Sequence, residues 1–189
     1  MQENRPLLAD THDRLSPISI VLHWSIAIGM IALIPFGIYI EDLPRGPDKF
    51  ELIGIHKSLG VILLALALAR LAWRLRQGLL GARSEQAPWQ HALASAVQWT
   101  LLAGPLLMPL SGIMMSVGGG YPVGVFGWEI IAGSEEKIEA LSKAGHLIHG
   151  LLGKLLIALI LLHAAAAIKH QWIDRDGTLS RMLGRDLNR

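Results

Sequence analysis

Apolar positions along this chain come in long blocks, without the short two- or four-residue alternation of a soluble fold. Four blocks are long enough for a membrane-crossing helix of about 20 residues. They cover about residues 18–40, 52–73, 93–117 and 146–168. The pattern predicts an all-α integral membrane protein: a four-transmembrane-helix bundle over residues 18–168, with tails at 1–17 and 169–189. Each block also holds residues that are costly in lipid: His23 in the first, His56, Lys57 and Arg70 in the second, Gln98 in the third, and His149, Lys154 and His163 in the fourth.

The connections are modest. The first, residues 41–51, is acidic and holds two prolines. The third is the longest. It begins Gly118-Gly119-Gly120-Tyr121-Pro122 and later reads Glu135-Glu136-Lys137-Ile138-Glu139. The glycine run lacks the Lys-Ser/Thr of a phosphate loop, so it predicts a turn leaving the membrane. The acidic stretch predicts a short surface helix. Lys and Arg near the span ends number ten on the side of the two tails and four on the other. The side richer in positive charge faces the cytoplasm, so both termini are expected there, with a bacterial inner membrane as the setting. The first fifteen residues carry no apolar run, and no cleavable signal peptide is expected.

Composition narrows the chemistry. Charged residues make up 17% of the 189, against about a quarter in soluble domains. A net charge of +2 is too small for a nucleic-acid footprint, and no nucleic-acid partner is expected. The absence of cysteine excludes disulfides, iron–sulfur clusters, thiolate zinc sites and covalently attached haem. Eight histidines remain to be explained.

Four of them form a geometric pattern. His149 and His163 are 14 residues apart, which leaves them within about 40° of one helix face and about 21 Å apart along the axis. The first span starts on the inner side and puts His23 at the depth of His163. The second starts on the outer side and puts His56 at the depth of His149. Two cross-helix pairs result, His23 with His163 and His56 with His149. His146 competes as the outer ligand, but it lies about 100° off the His163 face, which favours His149. Two neutral imidazoles from facing helices, in an apolar bundle and at two depths, suit noncovalent bis-His haem b. Zinc or copper would need three or four ligands at one point. Met108, Met114 and Met115 read as packing.

Arg70 follows His56 by 14 residues and is either a partner for haem propionates near the inner pair or a helix-end anchor, as Arg74 and Arg76 are expected to be. Gly60 and Gly112 would let a flat macrocycle approach the backbone, or serve plain helix packing.

These residues also carry a resemblance. Arg14-Leu15-Ser16, Leu22-His23-Trp24, Ile55-His56-Lys57-Ser58-Leu59-Gly60, Ala69-Arg70, Pro109-Leu110-Ser111-Gly112, His149 and Leu162-His163-Ala164-Ala165-Ala166 resemble the bacterial cytochrome b561 family. So does the closing run from Lys169-His170-Gln171-Trp172 through Asp174-Arg175-Asp176-Gly177-Thr178-Leu179 to Arg181-Met182. The resemblance spans about 170 residues in order and spacing. It implies two haem b groups with His23, His163, His56 and His149 as axial ligands to iron. Some members are similar to superoxide oxidase, which oxidises periplasmic superoxide and passes the electron to ubiquinone. The resemblance further implies a quinone site at the inner ends of the third and fourth spans, which maps to His170 with Lys169 and to Gln98. Gln98 stands where the related pattern often has His. A Gln can bond a quinone carbonyl but cannot relay a proton, and His91 is placed to compensate. His12 reads as a solvated tail residue.

Lys57, Lys49, Arg45, Lys137 and Lys143 are available to steer a small anion at the outer mouth, diluted by neighbouring carboxylates. The expected partners are lipid, quinone, and superoxide or another periplasmic electron donor. The alternative is a quinol-linked haem b carrier serving a separate periplasmic redox partner. A haemless structural or transport bundle is the reading from outside redox chemistry.

Overall fold

The computed structural model describes residues 9–11, 13–78 and 87–185; the expectation for His12 lies outside them. Helices α1 (Pro17–Asp42), α2 (Pro47–Gln77), α3 (Pro88–Gly118) and α4 (Glu139–Trp172) are each long and apolar enough to cross a membrane. They outrun the apolar blocks by polar turns at most ends. Proline opens three of them, at Pro17, Pro47 and Pro88. There its fixed φ suits a helix and its missing N–H costs nothing. Ser16 caps α1 by accepting from the Ser19 N–H at 3.2 Å.

The connection after α3 differs from expectation. The glycine run does end the helix, with Gly120 at φ 79°. Instead of a surface helix at residues 135–139, an antiparallel hairpin follows, β1 (Val123–Val125) with β2 (Trp128–Ile131), and α4 begins at Glu139. The two-residue turn Phe126-Gly127 has positive φ at both positions, 46° and 89°, the twist that matches paired strands. The hairpin is strapped to α2. Lys57 Nζ donates to the Pro122 carbonyl at 2.5 Å, and the Phe126 N–H donates to Ser58 Oγ at 2.9 Å. A short helix α5 (Thr178–Met182) closes the opposite end, where α1 begins.

The closest packing is α3 against α4, then α1 against α2, then α2 against α3; the backbone of α4 scarcely approaches α1 or α2. Where α3 and α4 cross beside the hairpin, glycines allow backbone contact. A Cβ on Gly145 would meet the Met115 main chain, and one on Gly118 would overlap the Ser142 main chain. Such small-residue crossings replace the hydrophobic effect that lipid removes. Midway along the bundle, Ile26, Met30, Leu63, Ala67 and Leu156 form one buried apolar cluster.

A second buried assembly ties the N-terminal tail to the bundle. Arg74 and Asp10 pair with side chains only 8% and 6% exposed. Ser19 Oγ donates to Asp10 at 2.6 Å and accepts from Trp73 Nε1 at 2.7 Å. Arg74 therefore braces α2 against the tail and does not reach out as a headgroup anchor. A buried guanidinium needs the carboxylate that Asp10 brings.

Candidate functional site: two histidine pairs across the bundle

Four histidines come together as two pairs. At the end that carries α5, the rings of His23 on α1 and His163 on α4 have centres 6.2 Å apart. At the hairpin end, His56 on α2 and His149 on α4 have centres 6.4 Å apart. His163 is exposed and the other three are half-buried. His146 lies on the outside of α4, its ring Nδ1 3.0 Å from the Ser142 carbonyl of its own helix. Both pairs bridge the gap where the α4 backbone stands away from α1 and α2.

A seven-residue rhythm sets this layering. His149, Leu156 and His163 are spaced by seven along α4, as are His56, Leu63 and Arg70 along α2, and His23, Met30 and Gly37 along α1. Seven residues are nearly two turns, so each trio shares a face. The middle members belong to the apolar cluster that separates the pairs.

The surroundings of the pairs differ. His149 Nδ1 is 3.1 Å from the Met108 carbonyl and 3.0 Å from Ser111 Oγ. A carbonyl oxygen only accepts, so this nitrogen carries the proton and Nε2 keeps its lone pair. Gly112 lies alongside, and a Cβ there would stand 3.5 Å from the His149 ring. His56 packs against Phe36, ring centres 5.9 Å apart, and its buried Nδ1 has no hydrogen-bond partner. Gly37 faces the same ring closely enough that a Cβ would be 3.1 Å from its Cε1. A Cβ on Gly60 would meet nothing within 4 Å. At the other pair, Arg70 Nη2 is 3.2 Å from His23 Nδ1, and Trp24 lies edge-on to the His23 ring with centres 5.4 Å apart. Phe36 and Gly37 have no place in the sequence expectations, and Trp24 and Ser111 enter them only as members of the resembling motifs, with no role. The seven-residue spacing that runs from His23 through Met30 to Gly37 is the signal available for one of them.

The remaining site residues lie apart from the pairs. His170 Nδ1 is 2.8 Å from Asp174 and 3.2 Å from Asp176, and Lys169 binds both Asp174 oxygens. Hydrogen bonding from Lys169 holds the Asp174 carboxyl below its ordinary value. Gln98 is half-buried on α3 and His91 is exposed. An open apolar groove of about 490 Å³ lies between α1 and α2, lined by Pro17, Ile18, Val21, Leu22, Ala69 and Trp73; it includes neither Gln98 nor His170. At the hairpin end, three of the five cations considered for steering are engaged. Lys57 binds the Pro122 carbonyl, Lys49 binds the Glu41 and Leu43 carbonyls, and Lys143 pairs with Glu139.

An imidazole nitrogen binds a transition metal at about 2 Å, so two rings on opposite sides of one ion keep their centres roughly 6 Å apart. Both pairs have that spacing. Among the described residues, no three His, Asp or Glu side chains group as a metal site.

The chain matches the family model described as prokaryotic cytochrome b561 over residues 14–185. It belongs to the prokaryotic cytochrome b561 family. Its relatives include cytochrome b561 homolog 2 of Escherichia coli (strain K12), 28% identical over 177 residues that cover 93% of this chain and 94% of the relative. Cytochrome b561 homolog 1 of the same organism is 28% identical, covering 92% and 98%. A protein named probable superoxide oxidase CybB, from Yersinia pestis, is 26% identical over 174 residues, covering 91% and 97%. Membership makes this cytochrome b561 chain a membrane electron-transfer protein of a haem b family. Two histidine pairs at ligand spacing are a donor set that fits such a cofactor.

Proposed function

We propose that this cytochrome b561 binds two haem b groups, one between His23 and His163 and one between His56 and His149, and moves electrons across a bacterial inner membrane with both termini in the cytoplasm. The observation that carries the reading is the ring-centre spacing of both pairs, 6.2 and 6.4 Å. When bound, haem b supplies reversible one-electron carriage with no open coordination position.

The residues divide the remaining work. The Met108 carbonyl fixes the tautomer and orientation of His149. Gly37 and Gly112 keep side chains out of the space beside the outer rings. Leu63, Leu156, Met30, Ile26 and Ala67 exclude water between the two layers. His170, held by Asp174 and Asp176, is placed to hand protons to a quinone at the inner surface, with Lys169 and Gln98 as further contacts.

The donor we favour is periplasmic superoxide, and the acceptor is ubiquinone. Two superoxide anions lose one electron each to become oxygen, and the quinone gains two electrons and two protons. Support comes from the relative named probable superoxide oxidase. The second reading, a haem b carrier fed by a separate periplasmic protein, is favoured by the hairpin, which exposes Phe126, Trp128 and Ile130 on that side.

The deciding experiment starts with haem content and a reduced-minus-oxidised spectrum of the purified protein. Two haem b per chain are expected, and one or none overturns the di-haem assignment. His23→Ala and His56→Ala should each remove one haem. Superoxide-driven ubiquinone reduction in detergent should exceed the uncatalysed rate; an unchanged rate leaves the carrier reading.

A further inference from the structure

The two layers differ in charge. At the outer pair, the groups nearest the rings are neutral: the Met108 carbonyl and Ser111 hydroxyl on His149, and Phe36 and Gly37 on His56. Lys57 is turned to the Pro122 carbonyl, and His146, one turn before His149, is exposed on α4. At the cytoplasmic pair, a guanidinium lies 3.2 Å from His23 Nδ1; it can only donate there, so iron on Nε2, which puts the ring proton on Nδ1, would turn it off that nitrogen while leaving its charge beside the ring. Arg70 has no carboxylate partner among the described residues, whereas Arg74, one turn further along α2, is neutralised by Asp10.

We infer that Arg70 sets the order of the two reduction potentials, making the cytoplasmic centre the stronger electron acceptor so that electrons run inward from the outer pair. The inference rests on the haem-ligand reading above. Gaining an electron removes one positive charge from a centre. A fixed cation beside it, weakly screened in an apolar layer, therefore favours the reduced form. The carbonyl on His149 acts in the opposite sense. By accepting the Nδ1 proton it makes the ring a richer donor, which favours the oxidised form of the outer centre. Both influences widen the gap in the same direction. Arg70 touches no reacting atom in this scheme; it tunes the potential of its neighbour.

The test is a spectroelectrochemical titration of the full-length, haem-loaded protein in detergent. Wild type should give two waves. In His56→Ala, which keeps only the cytoplasmic centre, the surviving wave should coincide with the higher of the two. Arg70→Gln should lower that wave and leave the other in place, and Arg70→Lys should restore most of the shift. If Arg70→Gln retains both haems with unmoved waves, or if His56→Ala retains the lower wave, the inference is overturned while the haem assignment stands. If wild type lacks two haems, the assignment itself has failed. Should Arg70→Gln lose haem, the His56→Ala wave still decides.

Discussion

Gly104 on α3 faces Leu156 on α4 so closely that a methyl group at Gly104 would overlap the leucine side chain. Leu156 is fully buried, with 0% exposure, in the layer between the histidine pairs, so it has nowhere to move. Gly104→Ala should cost about 1–3 kcal/mol, the range for overpacking a filled core. Thermal unfolding followed by circular dichroism measures it. Gly54→Ala, where a Cβ meets nothing, is the control and should melt like wild type or slightly higher.

Gly37 and Gly112 each line the outer histidine layer, but with different tolerance. A Cβ at Gly37 would be 3.1 Å from the His56 ring, against 3.5 Å for Gly112 and His149. The first distance forces the ring to move and the second is ordinary contact. Under the proposed di-haem reading, Gly37→Ala should lower occupancy of the haem between His56 and His149 while sparing the one between His23 and His163, and Gly112→Ala should keep both. Haem-to-protein ratios and the two spectral components would separate these outcomes.

Acid should loosen the N-terminal tether. Burial by itself raises the Asp10 carboxyl, but bonds from Ser19, the Ser16 backbone and Arg74 outweigh it and leave Asp10 below its ordinary 3.8. A depressed folded-state value means the stabilisation is complete above the unfolded-state value. It is lost as pH falls from there through the folded-state value. Stability should therefore decline below about pH 4 through this pair, and Asp10→Asn should flatten that part of the profile. Because the pair is buried, Arg74→Ala should cost about 3–5 kcal/mol at neutral pH.

Trp24 links the C-terminal segment to the His23–His163 pair. Its Nε1 donates to the Met182 carbonyl at 2.9 Å while its ring meets His23. One hydrogen bond is worth about 1 kcal/mol net, which is roughly a fivefold change in local opening. Arg181, buried in the closed state, should become several times more susceptible to trypsin in Trp24→Phe. Unchanged cleavage there would show that Trp24 does not hold the segment.

The four spans were legible because a bilayer demands long apolar blocks, and the pairing of His149 with His56, and of His163 with His23, followed from helical pitch and alternating direction. The hairpin was not legible. Its strands are only three and four residues long, and its turn carries Phe126-Gly127 where Asn-Gly would have announced it. The role of Arg74 was equally hidden. Pairing with Asp10 spans 64 positions, and nothing local distinguishes a buried helix-end arginine from one that reaches the headgroups. Glycines such as Gly37 and Gly104 carry no chemistry of their own, so their importance appears only once the neighbour they admit is known.

Both histidine pairs draw one member from α4, the last of the long helices to leave the ribosome. Until that helix is inserted, α1 and α2 offer only half of each pair. Cofactor capture is therefore a late event that follows insertion of the whole bundle. If each pair holds a haem, as proposed, a chain arrested before His149 should carry no tightly held cofactor at either depth.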